Sequence, residues 1–263
     1  MLHTSLEGRI ALVTGSTSGI GLAIARRLAR DGATVCLHGL GEPSQIEAAI
    51  SDAAAQTAPR PRHFGANLTD PTAATSLIEE VENTVGKIDI LVNSAGIQHV
   101  SPVTEFSLER WNAVLAVNLT AAFLTIQRAL PAMLDRNWGR IINIASVSAY
   151  FGVPNKAAYA ASKHGLLGLT KVVSSETART GVTCNAVCPG WVLTPLVERQ
   201  IEARAARDAV SFETARAELV SSQPSGQFVK PEQVAGLVSF LCSPDADEVR
   251  GVGWNMDGGR SAR

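Results

Sequence analysis

The chain has 263 residues, of which 46% are hydrophobic and 18% charged, with a formal net charge of −1. This length suits one α/β domain with a substantial core, and the balance argues against disorder and against a polyanion-binding surface. Lys and Arg are scattered and form no basic face with interleaved aromatics, so nucleic acid is not an expected partner.

The first nine residues lack the layout of a signal peptide. No apolar stretch is read as the roughly 18 uncharged residues that span a bilayer, so no membrane partner is expected and a cytoplasmic location is. A first strand at 10–14 runs into Thr14-Gly15-Ser16-Thr17-Ser18-Gly19-Ile20-Gly21, which opens a helix near 20–30. Further strands at 34–38, 62–66, 88–93, 140–145, 182–187 and 252–256 alternate with helical patterns near 44–57, 72–85, 108–135, 157–178 and 231–241. Several strands are apolar almost throughout, as in a parallel sheet covered on both faces. Repeated βα units predict one doubly wound Rossmann-type domain over residues 1–263. One segment breaks the rhythm: 190–226 is a long polar-amphipathic insertion, expected to form a lid hinged at Gly190 and Gly226. Cys36, Cys184, Cys188 and Cys242 show no CxxC spacing and sit in apolar contexts, which predicts buried thiols and no metal site.

Three features carry chemistry. The glycine loop follows a strand and opens a helix, where free N–H groups and the positive end of the dipole suit a pyrophosphate. Tyr159 and Lys163 stand at i and i+4, so phenol and ammonium share one helix face. A cation there favours the phenolate, which makes Tyr159 a candidate acid/base for an alcohol oxygen, with Ser146 close by at a strand end.

Gly15-xxx-Gly19-x-Gly21, Asn93-Ser94-Ala95-Gly96, Asn118, Ser146, Tyr159-xxx-Lys163 and Pro189-Gly190 occur in the order that resembles the short-chain dehydrogenases/reductases. The match spans essentially the whole chain; one departure is Ser94, where the family usually has a second Asn. The resemblance implies a seven-stranded parallel sheet in the order 3-2-1-4-5-6-7. It also implies Tyr159 as general acid/base, Lys163 lowering the phenol pKa and holding the nicotinamide ribose, Ser146 orienting the substrate oxygen, and Asn118 anchoring a proton-relay water through a helix distortion. Cofactor contacts are implied at Gly15, Thr17, Ser18, Gly19, Ile20, Gly21, Leu40, Asn67, Leu68, Asn93, Ala95, Gly96, Pro189, Gly190, Val192 and Thr194. After the second strand comes Gly39-Leu40-Gly41, with neither an acid for the ribose hydroxyls nor a base for a 2′-phosphate, and residues 16–18 hold no cation. NAD is therefore expected over NADP.

Several segments further resemble the bacterial D-3-hydroxybutyrate dehydrogenase branch of that family: Ala95-Gly96-Ile97-Gln98-His99, Cys188-Pro189-Gly190-Trp191-Val192, Thr194-Pro195-Leu196-Val197-Glu198 and Gln223-Pro224. That likeness implies oxidation of (R)-3-hydroxybutyrate to acetoacetate, with the carboxylate held by Gln98, Lys156 and Gln200 and the pocket walled by Trp191. Lys156 begins the helix that carries Tyr159, where the macrodipole disfavours a cation, so a functional reason for it is expected. Two positions depart from the branch. Ser148 replaces a carboxylate-contacting His, and Arg260 follows Asp257-Gly258-Gly259 where an aromatic is usual. The alternatives are reduction of another small keto acid, a neutral ketone or a 3-oxoacyl thioester, and a non-catalytic dinucleotide sensor, which has no need of the Ser/Tyr/Lys set. The family resemblance implies a homotetramer, with Arg260 near a neighbour's site.

Overall fold

Each apolar run becomes a strand because it is buried on both sides, and each amphipathic segment becomes the helix that covers it. The computed structural model describes residues 5–54 and 58–262. In chain order its main elements are β1 (Ile10–Val13), α1 (Gly19–Arg30), β2 (Thr34–His38), α2 (Pro43–Ala53), β3 (Arg62–Phe64), α3 (Pro71–Thr84), β4 (Ile90–Asn93), α4 (Leu108–Leu115), α5 (Ala121–Asp135), β5 (Gly139–Ile144), α6 (Ala157–Glu176), β6 (Val182–Pro189), α7 (Pro195–Asp208), α8 (Phe212–Val220), α9 (Pro231–Leu241) and β7 (Gly253–Met256). The seven strands form one parallel sheet in the order β3-β2-β1-β4-β5-β6-β7, as expected from the sequence.

Pleating sorts the side chains between two cores. Ala11 and Val13 join Ile24, Leu28 and Val238 on one face of the sheet. Leu12, between them, joins Leu77, Ile126 and Met133 on the other. The chain runs outward from β1 to β2 and β3, then returns to build β4 to β7 on the other side of β1. Crossovers leave β1 and β4 in opposite directions, and a crevice opens at their carboxyl ends.

The structure corrects some boundaries. The second helix stops at Ala53, short of the predicted 57, although 55–57 lie outside the described residues. The third strand ends at Phe64 rather than 66, and the last begins at Gly253. The predicted helix over 108–135 is divided by a π-turn at Ala116–Thr120. An 18-residue window of that run has a mean hydropathy of 1.5, so by length and composition it could cross a bilayer, contrary to the sequence reading. Its apolar side is used on the sheet, where Ala121, Ala122, Ile126, Ala129 and Met133 are buried.

The insertion is mostly helical. α7 and α8 close a small core of Val197, Ile201 and Ala215 with Trp191, Leu219 and Phe228 packed on it. Buried Gln223 ties both ends down, accepting from the Trp191 N–H and donating to the Gln227 carbonyl. Gly190 is needed for space: a Cβ there would lie 2.1 Å from Gln223 Oε1. Gly226, by contrast, is in the left-handed region at φ +65° with nothing near it, which is a turn requirement.

Leu28 is wholly buried between the sheet and α9. Leu28→Ala is expected to lower unfolding free energy by about 2–5 kcal/mol through lost burial and a cavity. Denaturant titration checks this; a loss below about 1 kcal/mol would mean that the α1 face repacks freely.

Candidate active site

The crevice begins at the glycine loop. Gly15 has φ +64°, and a Cβ there would lie 2.7 Å from Ala95 Cα; one on Gly21 would lie 2.2 Å from the Gly15 carbonyl oxygen. The loop is thus folded against itself and against the chain leaving β4. The side chain of Ser18 at the N-cap of α1 makes no capping bond, so the positive end of the helix faces the crevice uncapped. His38 braces the loop from beneath: Nδ1 accepts the Gly15 N–H (3.2 Å) and Nε2 donates to the Ala66 carbonyl (3.1 Å). Burial lowers its pKa and keeps it neutral, as this pairing requires. A Cβ on Gly39 would meet Thr17 Oγ1 at 2.7 Å, and Leu40 is 66% exposed beyond the strand end. These close approaches and free dipole fit a dinucleotide lying across α1.

Not every residue expected at the cofactor faces the crevice. Asn93 spends its amide on Asn143 (3.0 Å) and accepts from Thr125 (2.8 Å), all buried. Asn67 folds into a turn, accepting from the Thr69 N–H and hydroxyl. Leu68 is buried among the side chains of the second core. Ala95 also packs toward that core, while Gly96 and Ser94 line the main cavity. Ile20, Pro189, Gly190, Val192 and Thr194 line it too, and Thr194 Oγ1 caps α7.

This cavity, of about 160 Å³, contains Ser146, Tyr159, Lys163, Gln98, Ser148, Lys156, Trp191, Gln200 and Arg260. Ser146 follows β5 by two residues and shares the cavity with the Tyr159 phenol, and its oxygen accepts the Ser148 N–H at 3.1 Å. Burial pushes the phenol pKa up, and the Ser146 hydroxyl pulls it partly back. Lys163 lines the same cavity as the phenol. Its ammonium sits 5.6 Å from the Tyr159 ring centroid and donates to the Ile144 carbonyl at 2.7 Å. Burial lowers Lys163 itself to about 8. Desolvation is the leading cause for both groups.

Asn118 lies in the π-turn between α4 and α5, as the expected helix distortion. Its Oδ1 accepts from the Ile97 N–H (2.8 Å), and its Nδ2 donates to the Ile97 carbonyl (3.0 Å) and Ser162 Oγ (3.2 Å). It thereby holds the loop that presents Gln98. The Gln98 Nε2 is buried without a partner, an unmet donor in the cavity. Lys156 occupies the N-cap of α6 with its ammonium 4.5 Å from the Trp191 ring centroid. Burial, and then the Arg260 charge, lowers it to about 8. Gln200 reaches the cavity from α7, and Trp191 Nε1 donates to Ser222 Oγ at 3.0 Å.

Arg260, expected near a neighbour's site in a tetramer, lines this chain's own cavity, with its guanidinium 5.3 Å from the Phe151 ring centroid. The Asp257 carboxylate accepts the N–H groups of Gly259 (2.9 Å) and Ser261 (2.7 Å) and folds the tail inward. The positioning role of Gln223 was also missed, since one loop glutamine carries no periodic signal.

A lysine held at about 8 in the folded chain and 10.5 when unfolded binds fewer protons folded than unfolded between these values. Its burial cost is full below pH 8 and fades as pH rises to 10.5. Lys163→Met is therefore expected to stabilise the protein at pH 7, with the advantage shrinking between pH 8 and 10.5. Unfolding free energies of both proteins across that range test this; a difference constant with pH would overturn it.

Residues 9–205 match the family model described as short chain dehydrogenase. A D-beta-hydroxybutyrate dehydrogenase of Cupriavidus necator is 49% identical, covering 97% of this chain and 98% of its own. One from Rhizobium meliloti is 44% identical, with 97% and 99% covered. Among solved structures, a variant of actinorhodin polyketide ketoreductase with NADPH is 37% identical with a TM-score of 0.89, covering 97% of this chain and 98% of its own.

Proposed function

This chain belongs to the short chain dehydrogenase family of oxidoreductases, and from that premise we propose that it reversibly oxidises (R)-3-hydroxybutyrate to acetoacetate with NAD. The observation that carries this reading is the buried, unpartnered Gln98 amide that lines one cavity with Lys156, Ser146 and Tyr159. A small hydroxy acid offers little apolar area and is oriented by its charge, which these two groups meet.

Gly15, Gly19, Gly21 and the uncapped start of α1 would hold the dinucleotide, with Leu40 at the adenosine ribose and Lys163 at the nicotinamide ribose. When bound, the nicotinamide accepts the hydride of the carbon bearing the hydroxyl. Ser146 holds the substrate oxygen, and the Tyr159 phenolate takes its proton. Lys163 and the Asn118 turn lie behind the phenol, where they pass that proton outward. Gln98, Lys156, Ser148 and Gln200 orient the carboxylate against Trp191. Leu40 and the uncharged residues 16–18 offer no partner for a 2′-phosphate, which supports NAD.

The second reading is an NADPH-dependent reductase of another keto acid, a neutral ketone or a 3-oxoacyl thioester, favoured by the likeness to the ketoreductase with NADPH. Steady-state kinetics with both cofactors and a panel of acids and ketones separates the two. Turnover of 3-hydroxybutyrate with NAD is expected; good turnover of uncharged ketones with NADPH alone would favour the second reading. Tyr159→Phe is expected to lower kcat by about 10²–10⁴-fold while NAD still binds in calorimetry. Retained activity would remove Tyr159 from the mechanism.

Exposed Phe123 and Leu134 on α5 and Val172 on α6 support pairing of these helices between copies, in a homotetramer. Light scattering is expected to give four times the chain mass; a monomer would exclude this.

A further inference from the structure

Three cationic side chains and, among the described residues, no Asp or Glu line the cavity. Lys163 is occupied by the Ile144 carbonyl. The other two, Lys156 and Arg260, rest on aromatic rings, Trp191 at 4.5 Å and Phe151 at 5.3 Å. Among the described residues neither charged head has an ion-pair partner. Asp257 is the acid nearest Arg260 in sequence and its charge partly offsets the burial of the guanidinium, but its oxygens accept the Gly259 and Ser261 amides and form no ion pair with it.

Two like charges in one half-buried cavity are costly together. The Arg260 charge, after burial, is a cause of the lowered Lys156 pKa, so the two heads feel one another. A ligand with one carboxylate pairs with one head and leaves the other without an ion-pair partner in a partly dry site. A ligand with an anion at each end meets both, and Gln98 and Ser148 line the same cavity as neutral polar groups.

We propose that Arg260 is a specificity-determining residue that forms a second anion subsite beside Lys156, so that the preferred substrate is a 3-hydroxy dicarboxylic acid. This rests on the reading of the site as a 3-hydroxy acid dehydrogenase. The reaction is otherwise unchanged: the hydroxyl-bearing carbon gives a hydride to the nicotinamide, the hydroxyl gives its proton to Tyr159, and a 3-oxo diacid forms without another reactant.

The test compares 3-hydroxyglutarate with 3-hydroxybutyrate in the wild type, Arg260→Met and Arg260→Lys. The wild type is expected to show the lower KM for the diacid. Arg260→Met is expected to cut the diacid-to-monoacid ratio of kcat/KM by about tenfold or more, mostly through KM, as loss of a charge-assisted contact does, and Arg260→Lys to restore part of it. Calorimetry with the unreactive glutarate and butyrate gives a second readout: glutarate affinity falls in the Met variant and butyrate affinity falls less. Equal losses for both acids, or a wild type that prefers the monoacid, would overturn the second subsite. If neither acid is oxidised yet glutarate binds in an Arg260-dependent way, the subsite stands and the hydroxy acid reading fails. If 3-hydroxybutyrate is oxidised with a ratio indifferent to Arg260, the hydroxy acid reading stands and the subsite fails.

Discussion

The site depends on one clamp, at the point where the sheet changes direction. Thr14, at the end of β1, accepts the N–H groups of Ser94 (3.0 Å) and Ala95 (3.1 Å) just beyond β4. It also hydrogen-bonds the Val92 carbonyl. These bonds tie the chain leaving β1 to the chain leaving β4, and the cavity that holds Ser146, Tyr159 and Lys163 opens beside them. With the clamp in place, the glycine loop meets Ala95 at a distance no Cβ tolerates. The crevice is therefore set by backbone contact and does not rely on side chains that can adjust.

Around that frame, desolvation governs the chemistry. Burial raises the Tyr159 phenol and lowers Lys163 and Lys156, each toward its neutral form. Such a site is electrically incomplete: it has donors and cations, an unpaired Gln98 amide, and no acid among the described lining residues. An anionic ligand supplies what is missing, so binding and the adjustment of proton affinities are one event. The same buried network that holds Asn118 to Ile97 also fixes where Gln98 points, linking the helix distortion to substrate orientation.

Much of this was legible along the chain. The strands and helices follow from apolar runs and amphipathic spacing, and the sheet order follows from the family likeness. Ser146, Tyr159, Lys163, Gln98, Lys156, Trp191 and Gln200 were all read from motif positions, and the fold brings them to one cavity. The side-chain directions at the expected cofactor positions were not. Asn93, Asn67 and Leu68 sit in the right segment, but segment position does not say which way a side chain turns. Asn93 turned inward because Asn143 and Thr125 offered buried partners.

By itself, the sequence determined the architecture, the glycine loop and the i, i+4 pairing of phenol and ammonium, since these depend on local spacing and periodicity. Only the tertiary structure decided the direction of the Tyr159 and Lys163 pKa shifts, because burial depends on what the rest of the chain packs around them. It also decided that Gln223 ties down both ends of the 190–226 insertion, through bonds to Trp191 and Gln227. And it brought Arg260 into its own chain's pocket, because Asp257 turns the tail back through hydrogen bonds that no sequence period announces.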